Sequence, residues 1–371
     1  MIKPAALARL IEVIRRPATI HGLSVTDWDD LIRLARASGL AGRLANAANA
    51  AGGLGQVPDG VARYLTAWGF VTDKLEADLR YELDETRQAL AGTGITPVLL
   101  KGAAYSASRQ AWAVGRHYSD IDLMVPFEAL PAVERALLIR GWQPSHRDDP
   151  YTQKYYRQWM HEIPPLSHVH RGTTIDLHHA ITPRTSRIRS DGSTLVAAAE
   201  PIANAPGFLK LTDIDQLIHC ATHVFSDTEI PKGLRDLLDF DALLTQCHAH
   251  DEVGAQRIAD RAATLGLGAM VFLAWRQAHR LIDTPPPPAC VRRFAPNAIS
   301  LAALDAIYAR ALPPEHPLCD RPGAGLARTA VLLRGHWLRM PLHLLVSHLI
   351  RKAFSGALAQ ATDDKKADPQ G

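Results

Sequence analysis

The chain has 371 residues, of which 47% are apolar and 21% charged, and its formal net charge is +3. That balance is globular; it excludes a disordered acidic or basic chain, and it supplies no overall field that would demand a nucleic-acid partner. At roughly 150 residues per domain, two or three units are expected.

Residues 1–92 read as a helical region. The first segment, MIKPAALARLIEVIRRP, lacks the long apolar stretch and cleavage site of a secretory leader. Residues 5–15 carry apolar side chains at helical spacing, and Pro17 stops them. Thr26 is the expected cap of a second helix, with Asp27, Asp29 and Asp30 in its first turn. That helix and its continuation run to the break at Gly52, Gly53, Gly55 and Pro58. A long helix over 58–90 follows, striped by Tyr64, Leu65, Trp68, Val71, Leu75, Leu79 and Leu83.

The pattern changes at Gly92-Thr93-Gly94. Residues 95–100 (ITPVLL) are a short apolar run expected to be a buried strand. It ends in Lys101-Gly102-Ala103-Ala104, where a new helix begins. A strand, a tight turn and a helix start leave backbone N–H groups free for a phosphate, and Gly102 allows a close approach. Lys101, Arg109 and Arg116 add positive charge. A plain turn is the alternative reading of this stretch.

In SDIDLMV, Asp120 and Asp122 alternate with Ile121 and Leu123. In a strand both carboxylates share one face while the apolar side chains enter the core. Two like charges so close repel, so a divalent cation between them is the reading with chemical content. Two solvated aspartates at a strand end are the bland one.

Pro126 closes this strand, and residues 127–139 form an amphipathic helix with Leu130, Val133, Leu137 and Leu138 inward. Trp142 opens a less regular region. Residues 151–159 interleave Tyr151, Tyr155, Tyr156 and Trp159 with Lys154 and Arg157. They read as the face of a strand or hairpin, with base stacking as a second reading. LSHVH (166–170) and TTIDLHH (173–179), joined by Arg171-Gly172, make a hairpin-like pair. Thr174, Asp176 and His178 share one of its faces, which supplies a third carboxylate. His178 is read as a partner of a metal ligand, a base or a phosphate contact. His168, His170 and His179 are structural or solvent-facing.

From about 200 the chain is helical again. His219 and His223 lie four apart on one helix face, but no Glu stands in the HExxH position, so that zinc motif fails. With Arg235 and Asp236 they form a polar seam that would touch substrate. The four cysteines are far apart with no CxxC pair, which excludes a zinc ribbon or redox pair and fits a reducing, cytoplasmic setting. Pro285 to Pro288 form a stiff spacer. Residues 325–357 are basic and amphipathic: a packed terminal helix pair, or a peripheral contact with a membrane or partner. The stretch 358–371 is expected to be disordered. No apolar run approaches the about 18 residues of a transmembrane helix.

Gly102-Ala103 after a strand, Asp120-Ile121-Asp122-Leu123 and Ile175-Asp176-Leu177-His178, in that order, resemble the nucleotidyltransferase superfamily of the DNA polymerase β type. More narrowly, the LKG, R-x-x-SDIDL-like and DLH segments resemble its bacterial uncharacterised nucleotidyltransferase family. The central likeness covers about 95–182, and the helices around His219 and Arg235 fit the same family's C-terminal half. One departure is Ala103, where Ser or Gly is usual: the hydroxyl contact to phosphate is lost and the backbone N–H remains.

The resemblance implies an α+β fold with a small mixed sheet of about four or five strands. The catalytic core would span 93–199, between helical regions 1–92 and 200–357. It implies Asp120, Asp122 and Asp176 as catalytic and metal-binding residues, with two Mg²⁺ or Mn²⁺ ions. Lys101, Gly102, Ala103, Arg116 and His178 would bind the nucleotide phosphates. The substrates would be an NTP, with ATP expected, and a hydroxyl acceptor on a small molecule, sugar, peptide or protein. Transfer of the γ-phosphoryl group, a nucleotide-binding module without turnover, and a helical interaction protein are the alternatives.

Overall fold

Short apolar strands and long amphipathic helices alternate through the chain, and the computed structural model, which describes residues 4–52, 54–145 and 149–346, assembles them around one mixed sheet. The strands are β1 (Val98–Leu99), β2 (Ile121–Met124), β3 (Trp142–Pro144), β4 (Leu166–His168), β5 (Thr174–His178), β6 (Glu200–Pro201) and β7 (Leu209–Lys210). Their order is β3-β4-β5-β2-β1-β7-β6. β2 pairs with β5 and β1 with β7 in parallel; the other neighbours are antiparallel. The class is α+β, as the sequence implied. The sheet is wider than expected and runs past residue 199 to Lys210. Its outer pieces are two or three residues long, too short for an alternation to show in the sequence.

The N-terminal helices are α1 (Ala5–Arg15), α2 (Val25–Ser38), α3 (Ala41–Ala50) and α4 (Asp59–Leu90). The cap of α2 is Ser24 rather than Thr26. Ser24 and Asp27 exchange side-chain and backbone hydrogen bonds in a capping box, which satisfies two free N–H groups at once. Gly39, at φ 70°, stops α2 and separates it from α3.

Around the sheet lie α5 (Lys101–Ala107), α6 (Leu130–Ile139), α7 (Pro150–Lys154) and α8 (Gly192–Ala197). α7 runs into a π-helical turn, Tyr155–Trp159, so the aromatic stretch expected as a strand or hairpin is helical. Asp149 caps it and Pro150 opens it, a local start signal that outweighs the β-propensity of the aromatics.

The C-terminal layer comprises α9 (Asp213–Ser226), α10 (Gly233–Gln246), α11 (Glu252–Thr264), α12 (Gly268–Ile282), α13 (Ala289–Arg292), α14 (Ala298–Ala311) and α15 (Ala324–Arg339). One contiguous apolar cluster runs from Leu7 through the sheet to Val331. α15 docks at its C-terminal end, where Thr185 Oγ1 donates to Arg339 O and Ser186 Oγ and Arg187 N donate to Leu338 O, at 2.8–2.9 Å. Among the described residues no helix is long and apolar enough to cross a membrane. The rest of the amphipathic C-terminal stretch, and the tail at 358–371, lie outside the described residues.

A buried ionic hub joins the layers. Asp239 of α10 accepts from Arg43 of α3 at 2.5 Å and from Arg116 at 2.6 Å. Asp239 is 1% exposed, Arg43 6% and Arg116 8%. Arg116 also lies 3.6 Å from Asp236, which Arg235 holds at 2.8 Å. Replacing Asp239 with Ala strands two buried guanidinium groups, and breaking a buried pair this way costs about 3–5 kcal/mol. Urea unfolding of Asp239→Ala is expected to show that loss; one below about 1 kcal/mol, the scale of an exposed pair, would mean that the hub does not hold the layers together.

Candidate active site

β2 and β5 align Ile121 with Ile175, Asp122 with Asp176, Leu123 with Leu177 and Met124 with His178. Residues level with one another on neighbouring strands project to the same face. Asp122 and Asp176 therefore share a face, while Ile121, Leu123, Ile175 and Leu177 are buried on the other. Asp120 sits just before β2, half-buried, and its carboxylate accepts from Ser119 Oγ at 3.3 Å.

The aspartates of the matched pair have opposite electrostatics. Burial alone would raise the Asp122 carboxyl, but the Lys101 ammonium and His178 outweigh it and hold that carboxyl well below the usual range. Lys101 Nζ and His178 Nε2 each reach Asp122 Oδ1 at 2.9 Å. Lys101 starts α5 at φ 45°, a left-handed conformation that costs a side-chain-bearing residue energy. The Asp176 carboxyl is pushed up to about 7, first by burial and then by Glu162 and Asp122. Its Oδ1 is buried with no hydrogen-bond partner among the described residues. A buried acceptor left open beside other carboxylates is an arrangement that a divalent cation could complete.

The structure adds two residues that sequence reasoning missed. Glu162 forms an antiparallel bridge with His178, flanked by Ile163 N donating to Leu177 O at 3.0 Å and His179 N to His161 O at 2.8 Å. Glu162 Oε2 lies 3.5 Å from His178 Nε2, and the His161 and His178 rings are 5.2 Å apart. The bridge is a single residue pair with no alternation around it. The adjacent pair His161-Glu162 was the one signal in the sequence. Among the described residues, the group of three such ligand atoms within 4.8 Å of one another is His161, Glu162 and His178, not the three aspartates. Asp122 is turned instead toward Lys101 and His178.

Other expected site residues are placed differently. Arg116, expected at a phosphate, is ion-paired with Asp239 and Asp236, which take up its charge within the core. Gly102 is needed for packing, because a Cβ there would collide with the Arg116 guanidinium and the Tyr118 side chain. Ala103 is buried in the apolar core. In the expected substrate seam, His223 and Asp236 act on each other electrostatically. Arg235 and Asp236 belong to the ionic hub, with Arg235 Nη1 donating to His117 O at 3.2 Å. His219 and His223 on α9 lie within electrostatic reach of Lys101 and Asp122. Burial first and Lys101 second push both imidazoles down, His223 to about 4, so both are neutral near pH 7.

The raised Asp176 pKa has a sign that can be checked. A carboxyl that folding raises from 3.8 to about 7 favours the folded state while protonated, and that contribution is lost as pH rises toward and through 7. In chelator, Asp176→Asn is expected to melt at a higher temperature than the parent at pH 8, with the gap closing toward pH 4. Equal melting at both pH values would show that Asp176 is not under this strain. Asp120, Asp122, Glu162 and His178 act on it electrostatically and are themselves unaltered by the substitution.

No curated protein matches the chain. The model of a family described as uncharacterised nucleotidyltransferase matches residues 24–283, from the cap of α2 to the end of α12, and so includes β2, β5, Glu162 and both α9 histidines. A match over well more than half of its length establishes that the chain belongs to this uncharacterised nucleotidyltransferase family.

Proposed function

We propose that the protein transfers a nucleoside monophosphate from an NTP, with ATP the expected donor, to a hydroxyl acceptor. The observation that carries this reading is the level pair Asp122 and Asp176, with Asp176 Oδ1 buried and unpartnered among the described residues. The open acceptor and the surplus of carboxylates fit a divalent cation. Asp120, Asp122 and Asp176 would hold Mg²⁺ or Mn²⁺, and a pair of such ions neutralises phosphate oxygens and makes a hydroxyl more acidic.

The protein's own groups have separable roles in this reading. Lys101 is strongly held in its charged form: burial opposes the charge, and Asp122, Glu162 and Asp120 more than restore it. Lys101, at the start of α5, would face the phosphates and steady the departing pyrophosphate. The first N–H groups of α5, at Gly102 and Ala103, have no acceptor within their own helix and add to that binding. His178 orients Asp122 through its Nε2 contact. Asp176 receives or directs the proton of the acceptor hydroxyl. The acceptor oxygen bonds to the α-phosphorus as the bond to the β-phosphate oxygen breaks, and pyrophosphate carries away the electron pair.

A cavity of about 440 Å³ between α4 and β2 borders Asp120 and offers room for an acceptor or a nucleoside. Lys74, Asp78, Tyr118, Arg171 and Thr173 line it, so it suits a polar group. Four free cysteines fit a reducing compartment such as the cytoplasm.

The test is incubation with Mg²⁺, α- or γ-labelled NTP and cell extract. Label from the α-position is expected in the acceptor, and Asp122→Asn and Asp176→Asn are each expected to lower its transfer by more than about a hundredfold while keeping the parent's circular dichroism. Label arriving from the γ-position would replace this reading with kinase-type transfer. Mg-NTP binding that raises the melting temperature without product would replace it with a nucleotide-binding role.

A further inference from the structure

We infer that His161, Glu162 and His178 form a cation site of their own, suited to a borderline transition ion such as Zn²⁺ or Co²⁺ rather than to Mg²⁺. One ligand atom from each lies within 4.8 Å of the others. Two imidazoles and one carboxylate are the donor set that such ions favour, whereas Mg²⁺ selects oxygen.

Two further observations point to a ligand. His178 is 2% exposed, and its Nδ1 is buried with no partner among the described residues; the same holds for Nδ1 of His161. Buried imidazole nitrogens are ordinarily hydrogen-bonded. With Nε2 at 2.9 Å from Asp122 Oδ1 and 3.5 Å from Glu162 Oε2, Nδ1 is the ring nitrogen of His178 left open. The backbone is ready as well. The bridge between Glu162 and His178 and its two flanking hydrogen bonds hold these side chains on paired segments, so little ordering remains to be done on binding.

The site differs from the aspartate face in its donors and adjoins it, since His178 bonds Asp122 and Glu162 acts on Asp176. It would bind an ion with no nucleotide present, and the inference therefore does not depend on nucleotidyl transfer.

Cobalt is the probe, because nitrogen ligation shows in its visible absorption. The full chain, stripped with a chelator and given excess Mg²⁺ to occupy oxygen sites, is titrated with CoCl₂. A single Co²⁺ with nitrogen-type bands is expected. His161→Ala and Glu162→Gln are each expected to weaken its binding by at least about tenfold, and Asp176→Asn, which removes no ligand of this set, to weaken it less than either. Circular dichroism and melting verify that each variant folds; if His161→Ala does not, Glu162→Gln carries the test. Failure of Co²⁺ to bind under Mg²⁺, unchanged binding in the folded ligand variants, or a larger loss in Asp176→Asn than in Glu162→Gln would overturn the site.

Discussion

Two carboxylates set level on adjacent parallel strands repel each other, and much of the surrounding structure answers that repulsion. Asp122 is relieved by Lys101 and His178. Asp176 has no comparable partner, and burial first, then Glu162 and Asp122, raise its proton affinity. The register of β2 against β5 is the constraint behind both facts. Slipping it by one residue would turn the whole apolar set of a strand from the core to the open face, so burial of Ile121, Leu123, Ile175 and Leu177 locks the acids together. Hydrophobic burial therefore holds in place an electrostatic arrangement that would not assemble by itself.

The helical layers hold the sheet from outside. Asp239 draws Arg43 and Arg116 into one buried knot between α3, α10 and the segment before β2. Gly42 and Gly115 let the same elements approach backbone to backbone, since a Cβ on either would strike the other's carbonyl. Glu82 of α4 clamps the turn between β4 and β5, accepting from Arg171 at 2.6 and 2.9 Å and from Thr173 at 2.7 Å. Each contact fixes a segment adjoining the acidic face, so the face is built on rigid elements. The hub also explains why an arginine near the expected phosphate site serves packing: two carboxylates already surround it.

Around the acidic face, charge is graded. Lys101 is the cation nearest Asp122, and the neutral imidazoles of His219 and His223 stand farther out on α9. Neutral histidines there can donate or accept a hydrogen bond without competing for a cation. His178 differs from them. Burial disfavours its charge, but its hydrogen bond to Asp122 and the nearby Glu162 raise its pKa. One residue type is thus shifted in opposite directions within a small volume, by neighbours rather than by identity.

Much of this was legible in the chain. Period-two alternation in SDIDLMV and TTIDLHH marked β2 and β5, and the order of their acids led to the family to which the chain belongs. Helical spacing found α1, α4 and α9, because each repeats its signal over several turns. Signals confined to one or two residues were not legible. Ser24 displaced Thr26 as a cap, a π-helical turn replaced the expected aromatic strand, and β3, β6 and β7 were too short to alternate. Pairings across the chain were hidden for a different reason. Nothing near Arg116 in the sequence announces Asp239, and nothing near His178 announces Glu162. Local patterns follow from local sterics and solvation, so the sequence by itself determined that β2 and β5 are strands and which of their faces is acidic. Only the tertiary structure decided which charges neutralise one another, because Coulomb energy and desolvation depend on distances that exist only once the strands and helices have packed.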